Sequence, residues 1–185
     1  MHCIEKSVKI KRMKRLTENR IYQSICTVMA AVSLVSLVNV ILIMFRVERN
    51  IAFSLFIPSW GANYSTYFAP ENEKDLVLGI VCFGMIAMYY LCYVKAKENY
   101  QWLILNLILQ LSDTAALVYF VRLMDYDVTR WLIDIVSHGI VILLMIWALY
   151  IGIKTAKENR LAEESANLSD KKDDPNKVMD YIIED

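Results

Sequence analysis

The sequence predicts an all-α integral membrane protein, with four transmembrane helices in an antiparallel bundle and both termini cytoplasmic. Three observations predict it. Four apolar segments, at 25–45, 76–94, 102–121 and 131–153, each approach or exceed the about 20 residues an α-helix needs to cross a bilayer. Hydrophobic residues make up 57 % of the 185-residue chain, and the stretches between the segments are too short for a soluble domain. Basic residues also cluster on alternate sides of the segments, as the positive-inside bias requires.

The head, residues 1–24, is the most basic part. Lys6, Lys9, Lys11, Arg12, Lys14, Arg15 and Arg20 stand there against Glu5 and Glu18. Such a run can bind nucleic acid or anionic lipid, but before a first span it reads as a topology signal, so no nucleic-acid partner is expected. The turn after the second span (Lys95, Lys97) and the stretch after the fourth (Lys154, Lys157, Arg160) fall on the same side. The other side holds Arg46, Arg49, Lys74, Arg122 and Arg130. Trp102, Trp147 and Tyr150 then sit near the inner interface, with Tyr119 and Trp131 near the outer.

The first span is about twice as long as a signal-peptide core and lacks a small-residue cleavage pattern, so it is expected to remain as an anchor. Nothing before Ile21 breaks a helix, so residues 6–20 are expected to run into it. The 46–75 loop is the least regular region. Its 51–60 stretch, IAFSLFIPSW, is apolar, too short to cross and interrupted by Pro58, which leaves a re-entrant, interfacial or loop-like placement open. Asn63-Tyr64-Ser65 matches a glycosylation sequon, a pattern that also arises by chance. Pro70 followed by Glu-Asn-Glu-Lys-Asp gives the second span an acidic first turn that complements the helix dipole.

The Ala-Lys-Glu-Asn sequence at 96–99 recurs at 156–159, a faint trace of hairpin duplication or of similar juxtamembrane chemistry. Residues 154–185 form a cytoplasmic tail, acidic toward its end and expected to be mobile, with a short apolar stretch at 178–183.

Polar residues inside the spans carry the functional signal. At 100° per residue Asn106, Gln110 and Asp113 share one stripe of the third span, continued by Leu117. Asp134 and His138 share one face of the fourth, continued by Val141, Met145, Ala148 and Gly152. Ser33, Ser36 and Asn39 share one broad side of the first. With a rise of about 1.5 Å per residue, Asp113, His138 and Asn39 lie about 12, 10 and 9 Å below the outer ends of their helices. These three are therefore expected to meet in one layer, with Asp134 about 5 Å down, nearer water and within reach of Arg122 or Arg130.

An ionised carboxylate in hydrocarbon is costly unless paired or wetted, so Asp113 is expected to face the interior and engage His138 or Asn39. Asp113, His138, Asp134 and Asn39 form the candidate ligand or proton site. Asn106 and Gln110 are expected to act as helix-packing polar groups.

No cofactor or metal is implied. The second histidine, His2, lies in the head, which excludes bis-histidine haem ligation within one chain. The four cysteines form no C-x-x-C pair, and no phosphate loop, nucleophile elbow or H-E-x-x-H motif is present. No catalytic residue is assigned. The favoured reading is a non-catalytic membrane subunit of regulatory or sensory type, in contact with lipid and with a second copy or another membrane protein. The alternatives are an oligomeric proton- or cation-linked transporter using the Asp113/His138 layer, and an intramembrane enzyme acting on a lipid or quinone. Ile- and Lys-rich composition and short loops point to a bacterial plasma membrane.

Overall fold

A computed structural model describes residues 16–47, 51, 53–123 and 128–172. The basic residues of 1–15, the apolar stretch at 178–183, Arg49 and the side chains of 128–130 and 166–172, with the expected reach of Arg130 to Asp134, lie outside the described residues. All described secondary structure is helical. We number the helices α1 (Arg20–Met44), α2 (Phe56–Tyr67), α3 (Glu71–Ala96), α4 (Gln101–Leu123) and α5 (Val128–Lys172). Four of them, α1, α3, α4 and the Trp131–Ser165 part of α5, are long and apolar enough to cross a membrane.

α1 does not extend back through the head as expected. Leu16–Glu18 form one 3-10 turn, and Asn19 caps α1 by accepting the Tyr22 amide at 3.1 Å. An Asn side chain competes well for the orphan N–H groups of a first turn, which makes it a start signal rather than helix interior. The Tyr22 hydroxyl donates to the Ala96 carbonyl and Gln23 Nε2 to the carbonyls of Leu16 and Lys97, tying the start of α1 to the turn after α3.

α3 is continuous but not uniform. Val77–Gly84 is wound as a π-helix between α-helical ends, an arrangement rare at this length and frequent at functional sites. The turn after α3 is closed by Asn99, whose Oδ1 accepts the Gln101 amide at 3.0 Å. Its counterpart Asn159 lies inside α5, so the repeated Ala-Lys-Glu-Asn sequences occupy different local structures. Residues 154–172, assigned by composition to the tail, continue α5 without a break. Arg160 and Glu164 pair at i,i+4 along that extension.

Each long helix packs on its neighbours: α1 on α3 and α5, α3 on α4, and α4 on α5. The shared interior contains Tyr22, Met29, Tyr89, Leu103, Val141 and Met145, all buried. Leu34, Ile80, Ile108 and Leu143 are among the large apolar side chains left exposed on the outer faces, as lipid contact demands and water does not favour. Close approach is allowed where side chains vanish. A Cβ on Gly152 would stand 2.4 Å from Tyr100 Cβ, so α5 meets the α3–α4 turn only through a glycine.

The segment after α1 turns back inward. Leu55 is fully buried and joins the same core as Tyr89, Val141 and Met145. From there α2 climbs out again, packed on α1, α4 and the π stretch of α3. Its buried face is made of Pro58, Ser59, Gly61, Ala62 and Ser65. A Cβ on Gly61 would meet Val81 Cγ1 at 2.8 Å and Cys82 Sγ at 3.1 Å, and the Cys82 thiol donates to the Pro58 carbonyl at 3.2 Å. Small residues let this short helix lie flush against the widened π turns.

Candidate functional site

A helix that starts inside the protein must find partners for its first N–H groups there. Leu55, at the N-cap of α2, has no side chain able to accept them. Other helices supply the acceptors. The Leu55 amide donates to Ser36 Oγ of α1 at 2.8 Å. The next two, Phe56 and Ile57, donate to Asp113 Oδ2 and Oδ1 of α4 at 2.8 and 2.7 Å. Pro58 has no N–H to satisfy. Asp113 therefore caps α2 from a different helix, its carboxyl group set at the positive end of the α2 dipole.

His138 completes this arrangement. Its Nε2 lies 2.9 Å from Asp113 Oδ2, and its Nδ1 lies 2.8 Å from the Asp134 carbonyl. A carbonyl only accepts, so Nδ1 carries a hydrogen. One further proton lies between Nε2 and Oδ2. Whichever atom holds it, the pair shares one proton and has no net charge. Asp113 and His138 are 0 % and 3 % exposed.

Asn39 shares a cavity wall with His138 and Asp134 but bonds to the inserted segment rather than to Asp113. Its Nδ2 donates to Ser54 Oγ at 3.0 Å and Ser59 Oγ at 2.8 Å, and its Oδ1 accepts the Ile51 amide at 3.1 Å. The inserted segment runs between α1 and the α4–α5 pair and takes up the Asn39 amide before it can reach Asp113. Ser36 and Ser59 each donate and accept, passing the hydrogen bonds on to the carbonyls of Val32 and Leu55. Ile51, Leu55 and the first two residues of α2 are thus held by Asn39, Ser36 and Asp113, three side chains from two helices.

The other two polar residues of the α4 stripe behave differently from each other. Gln110 Oε1 accepts the Tyr89 hydroxyl at 2.8 Å and so links α4 to α3. Asn106 is fully buried, and neither its Oδ1 nor its Nδ2 has a hydrogen-bond partner among the described residues.

Beside the anchored segment lies a cavity of about 390 Å³, within the range of small-molecule sites. Asn39, Ser59, Asp134 and His138 contribute its polar wall, and Asp113 is not among the lining residues. Most of the rest is aromatic. Tyr64 stacks on Trp60 (centroids 5.6 Å apart), Trp60 meets Phe120 at 5.3 Å, Phe120 meets Phe56 at 5.7 Å and Phe56 meets Trp131 at 6.1 Å. Five rings from α2, α4 and α5 form one continuous arc. Sequence reasoning missed it because these residues are dispersed over three helices, one of them not foreseen as a helix.

Asp134 is half-buried and lines the cavity, and no hydrogen bond or ion pair joins its carboxylate to any described side chain, that of Arg130 lying outside the described residues. Asn63, the sequon asparagine, also lines the cavity and donates to the Ser59 carbonyl at 3.0 Å, as part of a helix rather than an accessible loop.

Comparison of the chain with protein-family models, curated proteins and solved structures gave no match.

Proposed function

We propose that this chain is a non-catalytic membrane subunit of sensory or regulatory type. It takes a small molecule into the outer cavity and reports its presence through α5. The observation that carries this reading is the continuity of α5. One helix supplies Trp131, Asp134 and His138 to the cavity wall, Met145 and Ala148 to the core, and residues 154–172 beyond the last apolar turn.

In this reading the four long helices form an antiparallel bundle across a bacterial plasma membrane with both ends cytoplasmic, as the positive-inside bias indicates. The 51–67 segment is re-entrant from the outer side. Ser36 lies eight residues before the end of α1, about 12 Å down at 1.5 Å per residue, and holds the lowest point of that segment. The extension of α5 then projects into the cytoplasm, where a second copy or another membrane protein can engage it.

The transport alternative needs Asp113 on a wetted path. Its two oxygens instead accept two backbone amides and face His138, which favours an anchoring role. Reconstituted vesicles are accordingly expected to show no proton or alkali-cation flux above protein-free vesicles, measured with an internal pH dye and an ion-selective electrode. Flux that disappears in Asp113→Asn would replace the sensory reading by the transporter. In the same vesicles, a compound that occupies the cavity should change the mobility of spin labels placed along 154–165. No such change for any compound that binds would contradict signalling through α5.

A further inference from the structure

We propose that the cavity is a recognition site for an organic cation, an alkylammonium group carried on a small apolar or aromatic body. The inference deepens the sensory reading and rests on its assignment of the cavity as a small-molecule site. Two independent features meet in the cavity. Aromatic faces attract cations through their quadrupoles, and Trp60, Tyr64, Phe120, Phe56 and Trp131 form a connected arc around one space. The same space has a carboxylate with no partner among the described residues, that of Asp134.

Charge balance favours this class over an anion or a neutral lipid. Asp113 and His138 cancel each other, sharing one proton. No lysine or arginine is among the described lining residues. Among the described side chains Asp134 is therefore the uncompensated charge of the wall, and an entering ammonium neutralises it in surroundings of low dielectric, where such pairing is strongest. An anion would stand beside a like charge, and a neutral molecule would leave Asp134 unpaired. Phe68 at the rim is 76 % exposed, and Asp134 lies six residues, about 9 Å, from the N-terminal end of α5, so the cation enters from the outer face.

The test is isothermal titration of the detergent-purified full chain with benzyltrimethylammonium and with its uncharged carbon analogue, neopentylbenzene. The cation should bind saturably and more tightly than the analogue. Asp134→Asn should weaken it at least tenfold, and Trp60→Leu about five- to thirtyfold. Both variants should melt as the wild type does. Should Asp134→Asn fail to fold, Trp60→Leu and the neutral analogue still decide. Equal affinity for cation and analogue, or no loss of affinity in the variants, overturns the proposal. The two readings fail separately. Cation binding that leaves the spin labels at 154–165 unchanged keeps the cation site and removes the sensory role. A neutral or anionic compound that binds in place of the cation and alters those labels does the reverse.

Discussion

Replacing Asp113 with asparagine should detach the start of α2 and lower stability by about 3–5 kcal/mol, because the imidazole and at least one backbone amide each lose a hydrogen bond to a charged group at about 1.5–3 kcal/mol. Shape is retained in this variant but chemistry is not. The carboxylate accepts from Phe56 N, Ile57 N and the His138 side on two oxygens. An amide has one oxygen, and its NH2 group would face a second donor. His138→Ala leaves both backbone amides bound to Asp113, so its loss should be smaller, about 1.5–3 kcal/mol for one charge-assisted bond. Thermal melts of the purified proteins give the ranking. Asp113→Asn melting with the wild type, or His138→Ala proving the more damaging, would remove Asp113 from its capping role.

The second large effect is expected at Asn39. A leucine there has similar volume but leaves the Ile51 amide without its acceptor and removes the donor to Ser54 and Ser59. Ser59 keeps its bond to the Leu55 carbonyl, so the loss should be about 1–3 kcal/mol, mostly from the stranded amide. Asn39 and Asp113 hold opposite sides of one segment. Once either has let it go, the other has less to stabilise, and the double variant should lose less than the sum of the singles. Strict additivity, read from the same melts, would mean that the two residues restrain different parts of the chain.

The long helices were legible because a bilayer sets a length that few other structures need, and four segments meet it. Asp113 facing His138 was legible too. Helical spacing put each on an inward stripe, and the rise per residue put both at similar depth. The same arithmetic could not name the partners of Asn39, because depth along a helix says nothing of what lies between helices. Helical stripes point only to side-chain partners for Asp113, whereas two of its three are backbone amides in the first turn of α2, a helix that the sequence does not announce.

Some signals were present but undervalued. Pro58 suits a first helical turn that lacks acceptors, and the Ser59, Gly61, Ala62 and Ser65 face is small enough for close packing. Residues 154–164, rich in Lys, Ala, Glu and Arg, favour helix even though their polarity reads as tail. The π turns of α3 have no counterpart in a pattern read at 3.6 residues per turn.

The depth of Trp60 tests the re-entrant anchor most directly. In a variant retaining Trp60 as its only tryptophan, reconstituted with lipids brominated at successive acyl positions, its fluorescence reports depth. In the re-entrant reading Trp60, four residues and about 6 Å along α2 from its anchored end at Phe56, lies still below the outer interface. Strongest quenching by bromines in the outer acyl region, moving toward the headgroups in Asp113→Asn, is the result expected. Quenching already centred on the headgroups in the otherwise unaltered protein, or a depth indifferent to Asp113, would contradict an α2 held inside the membrane by that carboxylate.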